Sequence, residues 1–338
     1  MSLDPQLRSR LVLPAVCAPM YRVSSPALVR EACKGGLVGA LPRQNARDLE
    51  TFDSWLTEVG EALKVYGEAN PSARIGPVAV NLSRLPEDQM AEHLAVCGKH
   101  GVEIIISAMG DPTELIRRVH DWGGKVFHDV TTVRFAEKAI AAKADGLTCI
   151  GSGGGGHSGQ ISHLAFIPRV RAMFDGTIIM AGCVGTGAAI RAAEILGADL
   201  AYLGTRFIAT EESNAAPEYK AMLVSESARD LVFTPKVAGT PANWLKASLA
   251  RVGVDLDKLP DPAPGAHRGH LPEGARPWAN IWSAGQGIEL IEDIPPAAEL
   301  IRRLRREYVA ACQVPDMAEV AKIDVERLVD QAQEFEPD

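Results

Sequence analysis

The chain has 338 residues, 46% of them hydrophobic and 23% charged, with a formal net charge of −8. A length and apolar content of this order bury a large core and suit one big α/β domain or a barrel with an appended lid, which excludes a disordered chain. The acidic balance offers no basic field to phosphate backbones, so nucleic acid is not an expected partner.

From the N-terminus, Met-Ser-Leu-Asp-Pro-Gln-Leu-Arg lacks the apolar stretch of a signal peptide. No later segment reaches the roughly 18 uninterrupted apolar residues of a membrane span. A soluble, cytoplasmic protein without a membrane partner is expected. Six cysteines (Cys17, Cys33, Cys97, Cys149, Cys183, Cys312) form no CxxC pair and read as reduced, largely buried thiols.

The apolar pattern then alternates between short runs and stretches of helical period. Strands are predicted near Ala15–Ala18, Leu37–Leu41, Gly76–Asn81, Val102–Ser107, Lys125–His128, Gly146–Ile150, Thr177–Met180 and Leu200–Gly204. Helices are predicted between them at Pro26–Lys34, Leu49–Tyr66, Glu87–Lys99, Pro112–Trp122, Val133–Lys143, His163–Phe174 and Ala188–Leu196. Eight such units predict an α/β fold, a closed (β/α)8 TIM barrel. Two units enter their strands alike, at Ala144-Asp145-Gly146 and Ala198-Asp199-Leu200, which supports repetition over two unrelated domains. The competing doubly wound sheet lacks its phosphate fingerprint, since Gly185-Thr186-Gly187 has no third glycine at the required spacing.

After Thr210 the rhythm breaks. Residues 211–280 carry helical patterns at Ala216–Ser225 and Ala242–Val252, then a Pro/Gly-rich stretch from Leu259 to Pro277, with no strand alternation. They are read as an inserted, mainly helical lid or substrate domain. Residues 1–210 and 281–338 then form the barrel, whose last helix is predicted over Ile288–Cys312. Lids of this kind exclude water from a barrel mouth.

The densest glycine cluster, Gly151-Ser-Gly-Gly-Gly-Gly156, follows a predicted strand and leads into His157. Glycine costs backbone entropy, so such a cluster points to positive φ or close approach to a ligand. A histidine beside it is poised for proton transfer near neutrality; its other reading is a helix cap or loop packing. Barrels often hold phosphate in the loops after their last two strands. Here those loops are Met180 to Gly187 and Leu203 to Phe207, with glycines that let backbone N–H groups close on an anion. His128 also ends a predicted strand and reads equally as a structural hydrogen bonder and as a site residue. Asn81, at another strand end, could hydrogen-bond a heteroaromatic ring or form a turn. His267 and His270 lack further ligands nearby, so no metal is expected. No GxSxG elbow supports a serine hydrolase.

Taken in order, several pieces resemble the nitronate monooxygenase (2-nitropropane dioxygenase-like) family of FMN-dependent barrel enzymes, over nearly the whole chain. They are Ala18-Pro19-Met20, Asn81, Gly155-Gly156-His157-Ser158-Gly159, Ala181-Gly182, Leu203-Gly204-Thr205-Arg206-Phe207 and Gly285-Gln286-Gly287. The resemblance implies that Ala18, Pro19, Met20 and Asn81 border the flavin ring, that Gly155, Gly182, Cys183, Gly204 and Thr205 hold the ribityl phosphate, and that Gln286 leans toward the flavin. Gly154 and, from its strand-end position, His128 complete the expected cofactor-binding set. His157 matches the family's catalytic base. The implied reaction is oxidative denitrification of nitronates or nitroalkanes with dioxygen to carbonyl compounds and nitrite. The alternative on the same signature is an NAD(P)H-dependent FMN quinone or enoyl-thioester reductase. Ile150 stands where the family often has glutamine, Cys183 where it has a second glycine, and Gly153 and Gly154 where many members have a carboxylate and an alanine. Expected partners are a small-molecule substrate and dioxygen, with a homodimer as the assembly to test.

Overall fold

The computed structural model describes residues 2–82, 86–260 and 271–314. His267, His270 and the last residues of the expected barrel segment, 315–338, lie outside that range. Eight parallel strands close into a barrel, each overlapping a predicted one. They are β1 (Ala15–Cys17), β2 (Val38–Pro42), β3 (Val78–Leu82), β4 (Ile104–Ala108), β5 (Lys125–Val130), β6 (Gly146–Ile150), β8 (Thr177–Ala181) and β9 (Leu200–Leu203). A two-residue strand, β7 (Gly156–His157), lies between β6 and β8 in the chain but outside the barrel wall.

Side chains alternate across a strand, so each staff of the barrel sends every second residue inward. Val16, Val38, Ala40, Ala79, Ile104, Ile106, Phe127, Ile179 and Leu200 fill the interior, with Tyr202 packed on them. Their neighbours Ile105, Val126, Leu147, Ile178 and Ala201 face the other way into the core beneath the helices.

A short helix that the sequence reading omits, Pro5–Arg10, starts on Asp4, whose side chain accepts from the backbone N–H groups of Gln6 and Leu7. Leu3, Leu7 and Leu11 join the interior cluster and plug the barrel at the end where the strands begin. The two matching Ala-Asp turns have a common cause there. Asp145 Oδ2 accepts from Val126 N at 2.8 Å and Asp199 Oδ2 from Ile178 N at 2.9 Å, so each aspartate ties the start of its strand to the preceding strand.

Residues 211–260 contain the helix Pro217–Ser225, an antiparallel pair β10 (Leu231–Thr234) and β11 (Ala242–Leu245), and the helix Lys246–Arg251. The expectation of no strand in this segment is therefore corrected. The helix predicted over Ala242–Val252 begins as β11, because Ala242, Asn243, Trp244 and Leu245 are all buried between partners. β11 pairs with β10 on one side and with β7 on the other, and that tertiary pairing outweighs local helical pattern. The predicted helix Ile288–Cys312 is likewise divided into a 3-10 turn, Gln286–Leu290, and a helix, Ala297–Cys312. Pro295 and Pro296 lie between them, where proline disfavours helix in the residue before it and suits a helix start. Among the described residues no helix is long and apolar enough to cross a membrane.

Candidate active site

A cavity of about 510 Å³ opens where the barrel strands end, within the size range of small-molecule sites. The turn after β1 contributes Ala18, Pro19 and Met20 to its wall. That turn is pinned from below: Met20 N donates to Ser24 Oγ at 2.9 Å, and Asn45 Nδ2 donates to Met20 O at 3.0 Å. Asn81, inward-facing on β3, also lines the cavity. It donates to Ile106 O at 3.3 Å and accepts from Gln44 at 3.2 Å.

The glycine loop after β6 is sewn to its surroundings on three sides. Ser158 Oγ accepts from Gly154 N at 3.1 Å and donates to Gly151 O at 2.9 Å. Asn243, on β11, donates to Gly154 O at 2.7 Å, and Gln286 N donates to Gly153 O at 2.8 Å. A linker would not be held this way. Gly153, at φ +78°, has Cys183 Sγ where a Cβ would stand, 2.4 Å from the ideal position, so both its conformation and its neighbours require glycine. At the end of this loop, β7 pairs His157 with Ala242 of β11. The imidazole lines the cavity and meets the Trp278 indole edge-on, with 5.1 Å between ring centroids. Trp278 in turn packs on the buried Trp244 at 5.0 Å.

Gly182 and Cys183 follow β8; Gly204 and Thr205 follow β9; all four line the cavity. None of the described hydrogen bonds uses the backbone N–H of Gly182, Cys183 or Thr205. Thr205 Oγ1 accepts from Gly285 N at 2.9 Å, which joins this loop to the segment after the lid. Arg206, although at the wall, is committed elsewhere: its guanidinium donates to Asp293 Oδ1 at 2.7 Å and to Asp293 O at 3.2 Å. Cys183 holds φ +58°, the left-handed region, and burial pushes its thiol pKa upward.

Eleven of the thirteen predicted site residues thus meet at one cavity wall: Ala18, Pro19, Met20, Asn81, Gly154, Gly155, His157, Gly182, Cys183, Gly204 and Thr205. Gln286 is set just behind it, its Oε1 3.8 Å from Cys183 Sγ. His128 is not at the wall. β5 runs on to Val130, so His128 shares the outward parity of Val126 and Val130, and it is hydrogen-bonded to Ser107 at 2.9 Å. Burial there lowers its pKa, an effect opposed by Asp111.

The residue that does face the cavity from β5 is Asp129. Sequence reasoning passed over it, although the alternation Phe127, Asp129 against Val126, His128 would have found it. Asp129 Oδ1 is buried with no hydrogen-bonding partner among the described residues, and so is the hydroxyl of Tyr202, the inward residue of β9 that also lines the cavity. Burial pushes the Asp129 carboxyl up to about 7, opposed by Thr148, which lies opposite it on β6. The Tyr202 phenol is pushed well above its ordinary value by burial and then by the charge of Asp129. An aromatic wall faces this floor. It includes Trp282 and Tyr219, stacked at 5.0 Å and 7°, with the Tyr219 hydroxyl donating to Ser283 O.

With this geometry in view, the likeness to known proteins is broad. The model of the nitronate monooxygenase family matches residues 63–307. A nitronate monooxygenase of Paraburkholderia phytofirmans is 29% identical over 350 aligned positions, covering 87% of this chain and 92% of the relative. One from Pseudomonas aeruginosa is 26% identical, covering 87% of this chain and 95% of its own. Among solved structures, the nitroalkane oxidase of Streptomyces ansochromogenes superposes with a TM-score of 0.75 at 25% identity, covering 90% of this chain and 98% of that one. The chain belongs to the nitronate monooxygenase family and is an oxidoreductase of the TIM-barrel fold.

Proposed function

We propose that this chain is an FMN-dependent nitronate monooxygenase, which converts nitronates, or the nitroalkanes from which they form, with dioxygen into carbonyl compounds and nitrite. The observation that carries the reading is His157, brought by a glycine loop to the mouth of a cavity whose other end offers unused backbone N–H groups.

The residues present fit a flavin mononucleotide. Unused donors at Gly182, Cys183 and Thr205 suit a phosphate, and the cavity volume of about 510 Å³ suits a ligand of that size. Ala18, Pro19, Met20 and Asn81 would border the ring, and Gly155 and Gly204, with Gly154 beside them, would let backbone approach the ribityl phosphate. When bound, the flavin supplies the electron acceptor that no protein side chain here provides.

The chain's own residues supply the rest. The imidazole of His157 takes the proton from the carbon beside the nitro group, and the edge contact with Trp278 limits the ring's freedom while it does so. The stacked Tyr219 and Trp282 offer an apolar wall to the substrate's carbon chain. Residues 211–260 and 271–280, which bring Tyr219 and Trp278 to the cavity wall, act as a lid that keeps water from the reacting carbon.

Anaerobic stopped-flow mixing of the FMN-loaded protein with a nitronate, and separately with NADPH, tests the reading. Rapid loss of oxidised flavin absorbance with nitronate is the expected result. Reduction by NADPH alone would overturn it in favour of a quinone or enoyl-thioester reductase.

A further inference from the structure

We propose that Asp129 and Tyr202 form a proton-holding pair on the barrel floor, turned toward an acceptor atom of the flavin ring, and that Asp129 takes up a proton when the ring takes up electrons. The inference rests on the flavin reading above and adds to it two residues that neither the family resemblance nor the glycine loops single out.

Its basis is the arrangement of the floor. Asp129 and Tyr202 come from different strands, face the same interior and both line the cavity. The Asp129 Oδ1 and the Tyr202 hydroxyl are buried and receive no hydrogen bond from any described protein group. A buried polar group left unpaired costs about 1–3 kcal/mol, so these two, with the equally unpaired Thr148 hydroxyl opposite Asp129, mark a surface that a ligand completes. The residues beneath them, Ile106, Phe127, Ile179 and Leu200, are all apolar.

The charge environment favours the neutral acid. Thr148 faces Asp129 from β6 and Ala108 from β4, and neither is charged. Tyr202 faces it from β9, and Cys17 of β1 acts only on Tyr202. Across the cavity stand His157, Cys183 and Arg206, the last already paired with Asp293. With its carboxyl pushed up to about 7, Asp129 is protonated in about half of the molecules near neutral pH and then, like the Tyr202 hydroxyl, has a proton to offer a ligand. A flavin held here would carry more negative charge beside this carboxyl when reduced than when oxidised, so the ionised fraction of Asp129 would bind one proton from solvent on reduction of the ring and release it on reoxidation. Only the O–H bond forms and breaks.

The test is the midpoint potential of FMN bound to the full chain, for wild type and Asp129→Asn, at about pH 6 and about pH 9, alongside FMN affinity from fluorescence quenching. Both proteins are expected to bind FMN. At the lower pH their potentials agree. At the higher pH the variant sits above wild type by about 30 mV or more, a tenfold change in the two-electron equilibrium, because only wild type then carries a carboxylate beside the ring. No difference at the higher pH, with FMN bound to both, overturns the proposal while leaving the flavin reading intact. Failure of wild type to bind FMN overturns both. Should the variant not fold, wild type alone carries the signature: above about pH 7 its potential falls by an additional 30 mV or so per pH unit, one proton per two electrons. That added slope should persist in Tyr202→Phe, which instead weakens FMN binding; its absence from wild type overturns the proposal.

Discussion

The two ends of the barrel treat buried polar atoms in opposite ways. Where the strands begin, every donor and acceptor around Asp199 is used. Its carboxylate, wholly buried, accepts from Ser2 N at 2.7 Å, Ser2 Oγ at 3.1 Å, Ile178 N at 2.9 Å and Arg171 Nη2 at 2.5 Å. Where the strands end, Asp129 and Tyr202 have buried oxygens with no partner among the described residues, and the backbone N–H groups of Gly182, Cys183 and Thr205 are likewise unspent there. One end is finished by the chain alone, and the other is built to be finished by a ligand. A polar group can be as deeply buried at either end, so burial alone does not distinguish the two ends; the satisfaction of their hydrogen bonds does.

That contrast can be broken or sharpened by experiment. The largest effect is expected from pH. A carboxyl at about 7 in the folded chain and near 3.8 when unfolded holds its proton more tightly in the fold. Folded protein therefore carries more protons across this window, and stability falls as pH rises through it. Denaturant titrations of the flavin-free protein should show Asp129→Asn gaining on wild type by up to about 4 kcal/mol between about pH 4 and about pH 7, with no further change above. Asp199→Ala, at the finished end, should cost about 3 kcal/mol in the same titration by leaving Arg171 without its partner, while FMN affinity stays unchanged. His157→Asn should leave stability alone and lower turnover of neutral nitroalkanes about 100-fold, with far less effect on preformed nitronates, as steady-state oxygen consumption would show. The smallest effect belongs to Cys183→Gly. Relief of a left-handed backbone at φ +58° is offset by the entropy of glycine, so stability should move by less than about 1 kcal/mol, with FMN still bound.

How much of this was legible beforehand depended on period. The eight staves announced themselves because each buried strand is a short apolar run between helices, and the closed order follows from their count. The glycine loop and the residues after β8 and β9 were legible because glycine clusters at strand ends carry a local reason for existing, Asn81 because a polar side chain closes an apolar strand, and Ala18-Pro19-Met20 only through the family resemblance. His128 and Asp129 were exchanged by one position. Ending β5 at His128 rather than Val130 hid the fact that inward parity falls on Asp129, and a single-residue error moves a side chain to the opposite face. β7 and β11 were illegible for another reason. Gly156-His157 has no strand pattern and is a strand only because it finds β11, while Ala242-Asn243-Trp244-Leu245 runs straight into a helix and is a strand through its pairing with β10 and β7.

That last pairing has a mechanical consequence. β11 and the loop that carries His157 share a sheet, so the position of the imidazole is tied to the same segment that brings Tyr219 and Trp278 to the cavity wall. If that segment works as the proposed lid, lifting it far enough to separate β11 from β7 would also withdraw the imidazole, and the proposed base would be in position only while the chamber is shut.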